Sequence, residues 1–179
     1  MKRIAGLLVG LGIVCLALSG CNAPAQAGVE VEDLGPAPAY SAEALDGGTF
    51  DLASLQGKSV LLNMWATWCT ECKFEMPRLQ ALHEEYAAEG LAIVGVSIDS
   101  GSQHRETVQS YVDEHGYSFD FALDPEGQSF IPTFYPYGTV GTPPETYLIA
   151  PNGHIAKHWI GQFDPQAPET KALIEAVLP

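Results

Sequence analysis

Two short, almost wholly apolar runs, residues 60–65 and residues 91–98, mark the centre of the predicted fold. Runs of this length without polar alternation are typical of strands covered on both faces in a parallel sheet. Between them, a helix is predicted from about Cys69 to Glu89. Its apolar positions share one face: Leu79, Leu82 and Tyr86. This strand, helix, strand order predicts a parallel pair of strands joined by a right-handed crossover.

The rest of the pattern adds two helices and two hairpins. A second helix is predicted from about Arg105 to His115, and a closing helix from Ala167 to Leu178. Residues 145–150 and 154–160 flank a Pro-Asn-Gly turn, which predicts an antiparallel hairpin. A shorter hairpin is predicted around residues 49–51. The core order is therefore β-α-β-α-β-β-α, preceded by that shorter hairpin.

The first 20 residues have the pattern of an export signal peptide. Lys2 and Arg3 precede an apolar stretch, and small residues follow it. The sequence Leu-Ser-Gly-Cys that ends at Cys21 resembles a bacterial lipobox, which implies cleavage before Cys21 and attachment of lipid to it. A secretory signal cut elsewhere and an uncleaved membrane anchor are the alternatives. We expect an exported protein that is anchored to the membrane by lipid on Cys21.

Composition separates a tether from a domain. Residues 21–37 are rich in Ala, Pro and Gly and lack periodicity, so we predict a flexible tether. Residues 38–179 are predicted to form one domain, since that length supports a single core. Without Lys2 and Arg3, 6 basic residues remain against 22 acidic ones, a formal net charge of −16. This charge makes nucleic acid an unexpected partner.

Cys69 and Cys72 form a C-x-x-C pair between the first buried strand and its helix. Cys15 would be lost with the signal and Cys21 consumed by lipid, so these would be the only free thiols. A disulfide that closes so short a loop constrains the unfolded chain little, which favours chemistry over a structural staple. A structural zinc site would need further Cys or His ligands at suitable spacing, which the sequence does not offer.

The position of the pair predicts a role for each thiol. The first N–H groups of a helix are unpaired, and their partial positive charge stabilises a thiolate on the residue that opens the helix. We therefore predict that Cys69 is the nucleophile. Cys72, one helical turn further on, would resolve a mixed disulfide formed at Cys69. Trp68, directly before the nucleophile, is a candidate contact for substrate chains.

Three blocks, taken in order, resemble one known family: Gly57–Cys72, Glu75–Pro77 and Pro144–Ile149. The first contains Trp-Ala-Thr-Trp-Cys-Thr-Glu-Cys and the last is Pro-Glu-Thr-Tyr-Leu-Ile. From about Pro38 to Leu178 the chain is similar to the TlpA/ResA/DsbE-like thioredoxins, thiol-disulfide oxidoreductases of the bacterial envelope. The resemblance implies an α/β thioredoxin fold, with a central mixed β-sheet flanked by helices and an N-terminal β-hairpin extension.

The resemblance also points to a proline beside the dithiol. Pro144 matches a residue, usually cis, that begins a strand next to the cysteines, and Pro143 would present its carbonyl and ring to an incoming chain. The stretch Ile131–Phe134 resembles the same site. Pro136 argues against that stretch, because a central strand tolerates proline badly and no hairpin follows.

Two carboxylates near the dithiol carry expectations of their own. Glu75 matches a carboxylate typical of the family, and it would serve as proton acceptor because Asn63 stands where cytoplasmic thioredoxins have a buried Asp. The alternative is that Glu75 is a solvated helix charge. Glu71 stands where relatives commonly have proline. A negative charge near Cys69 disfavours the thiolate and makes the disulfide harder to reduce, which predicts a reductant.

The sequence leaves the roles of two features undecided. The segment 130–142 could shape a groove for a partner, or it could be an inserted loop. His154 and His158 could share a strand face, although we expect both to be exposed.

The family resemblance implies an enzyme that reduces disulfides of exported proteins, such as apocytochrome c before haem attachment. A membrane thiol donor would supply electrons, and no cofactor is expected. The alternative is a copper-handling module whose thiolates carry Cu(I) to an oxidase, although related copper carriers use a C-x-x-x-C spacing. A peroxidase is a third possibility, but Ala66 stands where peroxiredoxins have threonine.

Overall fold

The computed structural model describes residues 29–179. The predicted signal peptide of residues 1–20, the lipidation site Cys21 and the first part of the predicted tether lie outside the described residues. No helix within the described residues combines the length and the apolar character that a bilayer crossing requires.

Residues 29–179 form seven strands and four α-helices. The strands are β1 (Ser41–Ala44), β2 (Thr49–Asp51), β3 (Ser59–Trp65), β4 (Leu91–Ser97), β5 (Asp120–Leu123), β6 (Glu145–Ile149) and β7 (Ile155–Ile160). The helices are α1 (Thr70–Tyr86), α2 (His104–His115), α3 (Phe130–Phe134) and α4 (Pro168–Val177). Short 3-10 turns occupy Leu52–Leu55, Ala87–Glu89, Pro125–Gly127 and Tyr135–Tyr137.

The strands form one mixed sheet in the order β2-β1-β5-β4-β3-β6-β7. β4 pairs in parallel with β3 and β5, whereas β6 pairs antiparallel with β3 and β7. Every residue of β3 and β4 is buried, which is why both runs lack polar alternation. The predicted parallel pair, the C-terminal hairpin and the thioredoxin-like α/β fold are confirmed, and β1 and β2 form the N-terminal hairpin.

β6 carries different side chains on its two faces, because successive residues of a strand point to opposite sides. Thr146 accepts a hydrogen bond from Asn63, which also reaches α1. Tyr147 points to the other face, where its ring lies 4.8 Å from that of Phe134 in α3. α1 and α3 therefore lie on opposite faces of the central strands.

Two elements of this fold were not predicted, namely β5 and α3. β5 has only four residues and follows α2 closely, so its apolar character gives no periodic signal. α3 contains Pro132, but this proline lies in the first turn, where a missing N–H leaves no helical hydrogen bond unmade. Phe130 and Phe134 are fully buried, so the first part of the segment 130–142 belongs to the core.

The end of the predicted tether is paired with the domain. The amide of Leu34 donates to the carbonyl of Ile155 at 2.9 Å, and the amide of Ala37 donates to the carbonyl of Gly153 at 2.8 Å. Extended chain at a sheet edge can satisfy its backbone groups in this way. Residues 34–37 are therefore part of the folded unit, which begins earlier than the boundary predicted at Pro38.

Candidate active site

Cys69 and Cys72 form a disulfide at the start of α1, with their Cα atoms 5.3 Å apart. Cys69 is the N-cap residue of the helix, and its Sγ accepts a hydrogen bond from the amide of Cys72 at 3.1 Å. Both cysteines are buried, with 4% and 1% of their surfaces exposed. In the reduced form, the same amide and the helix N-terminus would favour a thiolate on Cys69.

Glu75 lies one turn beyond Cys72 on α1 and is 1% exposed. Its Oε1 accepts a hydrogen bond from the amide of Phe163 at 2.8 Å, and Asn63 Nδ2 lies 3.4 Å from its Oε2. Burial raises the pKa of Glu75 to about 7, although the two hydrogen bonds act in the opposite direction. The alternative of a solvated helix charge is therefore wrong, and the carboxyl can exchange a proton near neutral pH.

Three separate parts of the chain hold Glu75 in place. Asn63 in the middle of β3 donates to Thr146 Oγ1 of β6 at 2.8 Å, which fixes the amide that faces the carboxyl. Phe163 follows β7, and its ring stacks on Trp159 at 4.7 Å. The sequence pointed to Glu75 and Asn63 but not to Thr146 or Phe163. The alternation in β6 could have indicated Thr146, because it places this hydroxyl opposite Asn63.

Pro144 is the candidate for the proline near the dithiol. The peptide bond between Pro143 and Pro144 is the only cis bond in the described part of the chain, whereas Ile131 and Pro132 lie in α3. Glu145, the next residue, pairs with Met64 at the carboxyl end of β3, and Cys69 follows five residues after Met64. Pro144 thus lies at the same end of the sheet as the disulfide. Pro144 is buried, and Pro143 is partly exposed.

Trp68 is 63% exposed directly before Cys69, so it is available to contact another chain. The loop that carries it is fixed by Asp99, which the sequence analysis missed. Asp99 accepts hydrogen bonds from the amide and the hydroxyl of Thr67, at 2.9 and 2.6 Å. The position of Asp99 just after β4 could have indicated this role. The strands β3 and β4 are parallel, so the residues that follow their carboxyl ends lie at the same edge of the sheet.

Glu145 is a second buried carboxylate. Its side chain lies on one face of β6, and Asn63 and Glu75 lie on the other face, where they meet Thr146. Glu145 accepts hydrogen bonds from the amides of residues 140–142 and lies 3.1 Å from His158 Nε2. Burial raises the pKa of Glu145, but hydrogen bonds from His158, Thr139 and the loop amides outweigh it and hold the pKa below 4.5. The expectation that His158 is exposed is wrong, since 8% of its side chain is accessible. His154 does lie at the surface, beside Asp33.

Comparison with known proteins agrees with this geometry. The model of the AhpC/TSA family matches residues 35–158. The chain belongs to this family. A thiol-disulfide oxidoreductase named ResA from Oceanobacillus iheyensis is 41% identical over 113 residues, which cover 63% of this chain and 55% of that protein. The thioredoxin-like protein YneN from Bacillus subtilis is 30% identical and covers 95% of this chain and 96% of its own length.

Among solved structures, a thiol:disulfide interchange protein of the thioredoxin family from Chlorobium tepidum is similar, with a TM-score of 0.69 at 25% identity. The match covers 80% of this chain and 96% of that one. The family, the fold and the Cys69–Cys72 disulfide lead to the same conclusion, and the chain is a ResA-like thiol-disulfide oxidoreductase.

Proposed function

We propose that this enzyme reduces disulfide bonds of exported proteins in the bacterial cell envelope. The observation that carries the proposal is the redox disulfide at the helix N-terminus with a buried carboxyl one turn away, whose pKa is about 7. Cys72 and Glu75 are three residues apart on α1, so they share a helix face. The site thus combines a nucleophile, a resolving thiol and a proton acceptor.

The reaction transfers two electrons from the dithiol to the substrate. The Cys69 thiolate attacks one sulfur of the substrate disulfide, which forms a mixed disulfide and releases the other substrate sulfur as a thiolate. Cys72 then gives its proton to Glu75 and attacks Cys69 Sγ. This step forms the Cys69–Cys72 disulfide and releases the second substrate thiolate, which takes up a proton. A thiol donor at the membrane would return the enzyme to its dithiol form.

Charge supports the reducing direction. Glu71 is exposed in the first turn of α1, two residues after Cys69. A carboxylate there opposes the effect of the helix N-terminus on the Cys69 thiolate, and a less stable thiolate lowers the reduction potential. The enzyme would then give electrons to substrate disulfides.

Exposed apolar side chains close to Cys69 and Cys72 along the chain, or next to Glu145 in space, support a polypeptide substrate. Trp68, Phe74, Val140 and Ile160 are each more than half exposed. An unfolded exported chain offers apolar side chains that could cover them. Apocytochrome c before haem attachment fits, because its C-x-x-C-H motif can form a disulfide that must be reduced first. We propose lipid on Cys21 as the anchor that keeps the enzyme near such substrates.

The test is the reduction potential of the Cys69–Cys72 couple, measured by equilibration in graded dithiothreitol buffers. A value near or below that of thioredoxin, roughly −270 mV, supports a reductant. A value near roughly −120 mV, that of a strong periplasmic oxidant, would refute the direction. Reduced enzyme should also convert an oxidised C-x-x-C-H peptide to its dithiol, and a peptide that stays oxidised would refute the proposed substrate class.

A further inference from the structure

Residues 29–37, which we call the arm, run along the outer edge of β7. The amide of Leu34 donates to Ile155, and the amide of Ile155 donates in turn to the carbonyl of Gly35 at 2.8 Å. Residue numbers fall along the arm where they rise along β7, so the two segments are antiparallel. An outer strand leaves backbone groups unpaired, and the arm satisfies some of them. The arm is thus a fixed part of the surface of the domain.

Side-chain contacts carry the arm past the middle of β7. Glu32 forms an ion pair with Lys157. Val29, the first described residue, lines a surface cavity together with Trp159 of β7 and Leu173 of α4. The arm therefore extends from the turn between β6 and β7 towards the other end of β7.

That other end is the end of the sheet where the disulfide lies. Trp159 pairs with Thr146, and Thr146 pairs with Asn63, two residues before the end of β3. Cys69 follows four residues after β3 ends. The turn of residues 151–153 lies at the opposite end, about 17 Å away, because β7 has six residues with a rise of about 3.3 Å each. The chain thus enters the described domain near its disulfide.

The predicted lipid attachment site is close to this end along the chain. Cys21 and Val29 are eight residues apart, and a fully extended chain of this length spans at most about 28 Å. Reaching the opposite end of the domain from Val29 would use about 17 Å of that span to pass the length of β7. The end with the disulfide is therefore nearer to the anchor than the end with the turn of residues 151–153.

The surface at this end suits the boundary of a lipid bilayer. Val29 and Ile160 are 42% and 57% exposed, and Trp68 beside the disulfide is 63% exposed. Tryptophan and apolar side chains are favoured where a membrane meets water. The excess of acidic residues would repel the domain from anionic lipids, so attraction between charges does not supply the orientation. The orientation is left to the arm.

We propose that the arm turns the end of the domain that carries Cys69 and Cys72 towards the membrane, where their disulfide takes electrons from dithiols held at the lipid surface. The inference rests on the proposed function, because it requires lipid on Cys21. One donor thiolate attacks Cys69 Sγ and releases Cys72, and the second donor thiol then displaces Cys69. The donor becomes a disulfide, and the enzyme gains two electrons and two protons.

The test anchors the chain of residues 21–179 in phosphatidylcholine vesicles that hold a lipid with a dihydrolipoyl headgroup. While the disulfide is intact, Cys21 is the only free thiol of this chain, so it couples to a maleimide lipid. Unreacted maleimide is quenched before the dithiol lipid is added. Reduction of the Cys69–Cys72 disulfide is followed by acid quenching, alkylation and protein mass. Each rate is divided by the rate of the same preparation with soluble dithiothreitol, which cancels any change in the thiols themselves.

The matched control carries the same anchor at the opposite end of the domain. In the double variant Cys21→Ser and Asn152→Cys, the lipid is attached to the exposed turn between β6 and β7. The normalised rate should be about tenfold higher with the anchor at Cys21, because linked partners gain effective concentration only where geometry lets them meet. If Asn152→Cys does not fold, Gln56→Cys replaces it, since Gln56 is exposed beside the same turn.

A longer connection tests the role of the short distance to the anchor. An insertion of about 15 Gly and Ser residues between Gly28 and Val29 lies outside the described fold. It should lower the normalised rate of the chain anchored at Cys21 about fivefold, since effective concentration falls roughly as the −3/2 power of linker length. An unchanged rate would contradict the proposal.

The remaining outcomes separate this inference from the proposed function. A ratio between the two anchors below about threefold, or a higher rate with the anchor at residue 152, would overturn the inference alone. If the protein made in a bacterium that processes lipoproteins carries no lipid on Cys21, the proposed anchor and this inference both fail. The reduction potential of a strong oxidant would refute the reducing direction and leave the ratio unchanged, since both preparations share one disulfide.

Discussion

Glu75→Gln should change how the stability of the oxidised protein depends on pH. The pKa of Glu75 rises from 4.5 to about 7 on folding because the carboxyl is buried. Below pH 4.5 the carboxyl is protonated in both the folded and the unfolded chain, so its full contribution to stability is present. As the pH rises through about 7, the folded protein must either keep the proton or bury a charge, and that contribution is lost.

The magnitude follows from the two pKa values. The interval from 4.5 to about 7 corresponds to roughly 3 kcal/mol of unfolding free energy, and Glu75 is too well buried for solvent to screen this. Glutamine keeps an oxygen that can accept from Phe163 and never ionises. Relative to wild type, the variant should therefore gain about 3 kcal/mol between pH 4 and pH 8. This gain would appear as a relative increase in Tm of about 6 to 12 °C for a domain of this size.

The assay is guanidinium unfolding at a series of pH values with the disulfide intact, so that only the carboxyl differs. Glu84→Gln is the control, because this carboxylate lies exposed on the same helix and should leave the pH dependence unchanged. The difference between Glu75→Gln and wild type is the quantity to follow, since other groups titrate in both. A difference that stays constant from pH 4 to pH 8 would refute the reasoning, because it would mean that the carboxyl does not retain a proton when buried.

Three further predictions concern the dithiol and its surroundings. Cys72→Ser should trap a mixed disulfide on Cys69, visible as a mass increase without reductant, and a substrate trapped by Cys69→Ser would reverse the assigned roles. Glu71→Gln should raise the reduction potential by no more than about 10 mV, since the side chain is exposed and screened; a fall would contradict the charge argument. Trp68→Ala should raise the half-saturating concentration of an oxidised peptide about tenfold and leave Tm nearly unchanged. The same half-saturating concentration in variant and wild type would exclude Trp68 from the contact surface.

The predictable part of the fold is the part with a strong period or a long apolar run. β3, β4 and α1 were predicted because burial on both faces and a helical stripe leave clear patterns in the sequence. β5 was missed because four residues give no usable period, and α3 was missed because Pro132 and Pro136 suggested a loop. Phe130 packs against Tyr40 and Phe134 against Tyr147, so these contacts bury the segment while both prolines lie at exposed positions.

The site divides in the same way. Cys69, Cys72, Glu75 and Pro144 have a signature in the local sequence or in the family resemblance. The remaining groups have at most an indirect signal, such as the position of Asp99 after β4 or of Thr146 in the alternation of β6, because they gain their roles only when distant strands are brought together. They are Thr146, Phe163, Asp99, Glu145 and His158.

β6 serves two separate hydrogen-bond networks with adjacent residues, which restricts where the chain can change in length. Thr146 points to Asn63 on one face, and Glu145 and Tyr147 point to His158 on the other. Insertion or deletion of one residue between Pro144 and Tyr147 would exchange the two faces and break both networks at once. An insertion between Phe134 and Thr139 would disturb neither register and would leave the buried helix α3 intact. Natural or engineered variation in substrate choice should therefore accumulate as length changes in residues 135–138, while the spacing from Pro144 to Tyr147 stays fixed.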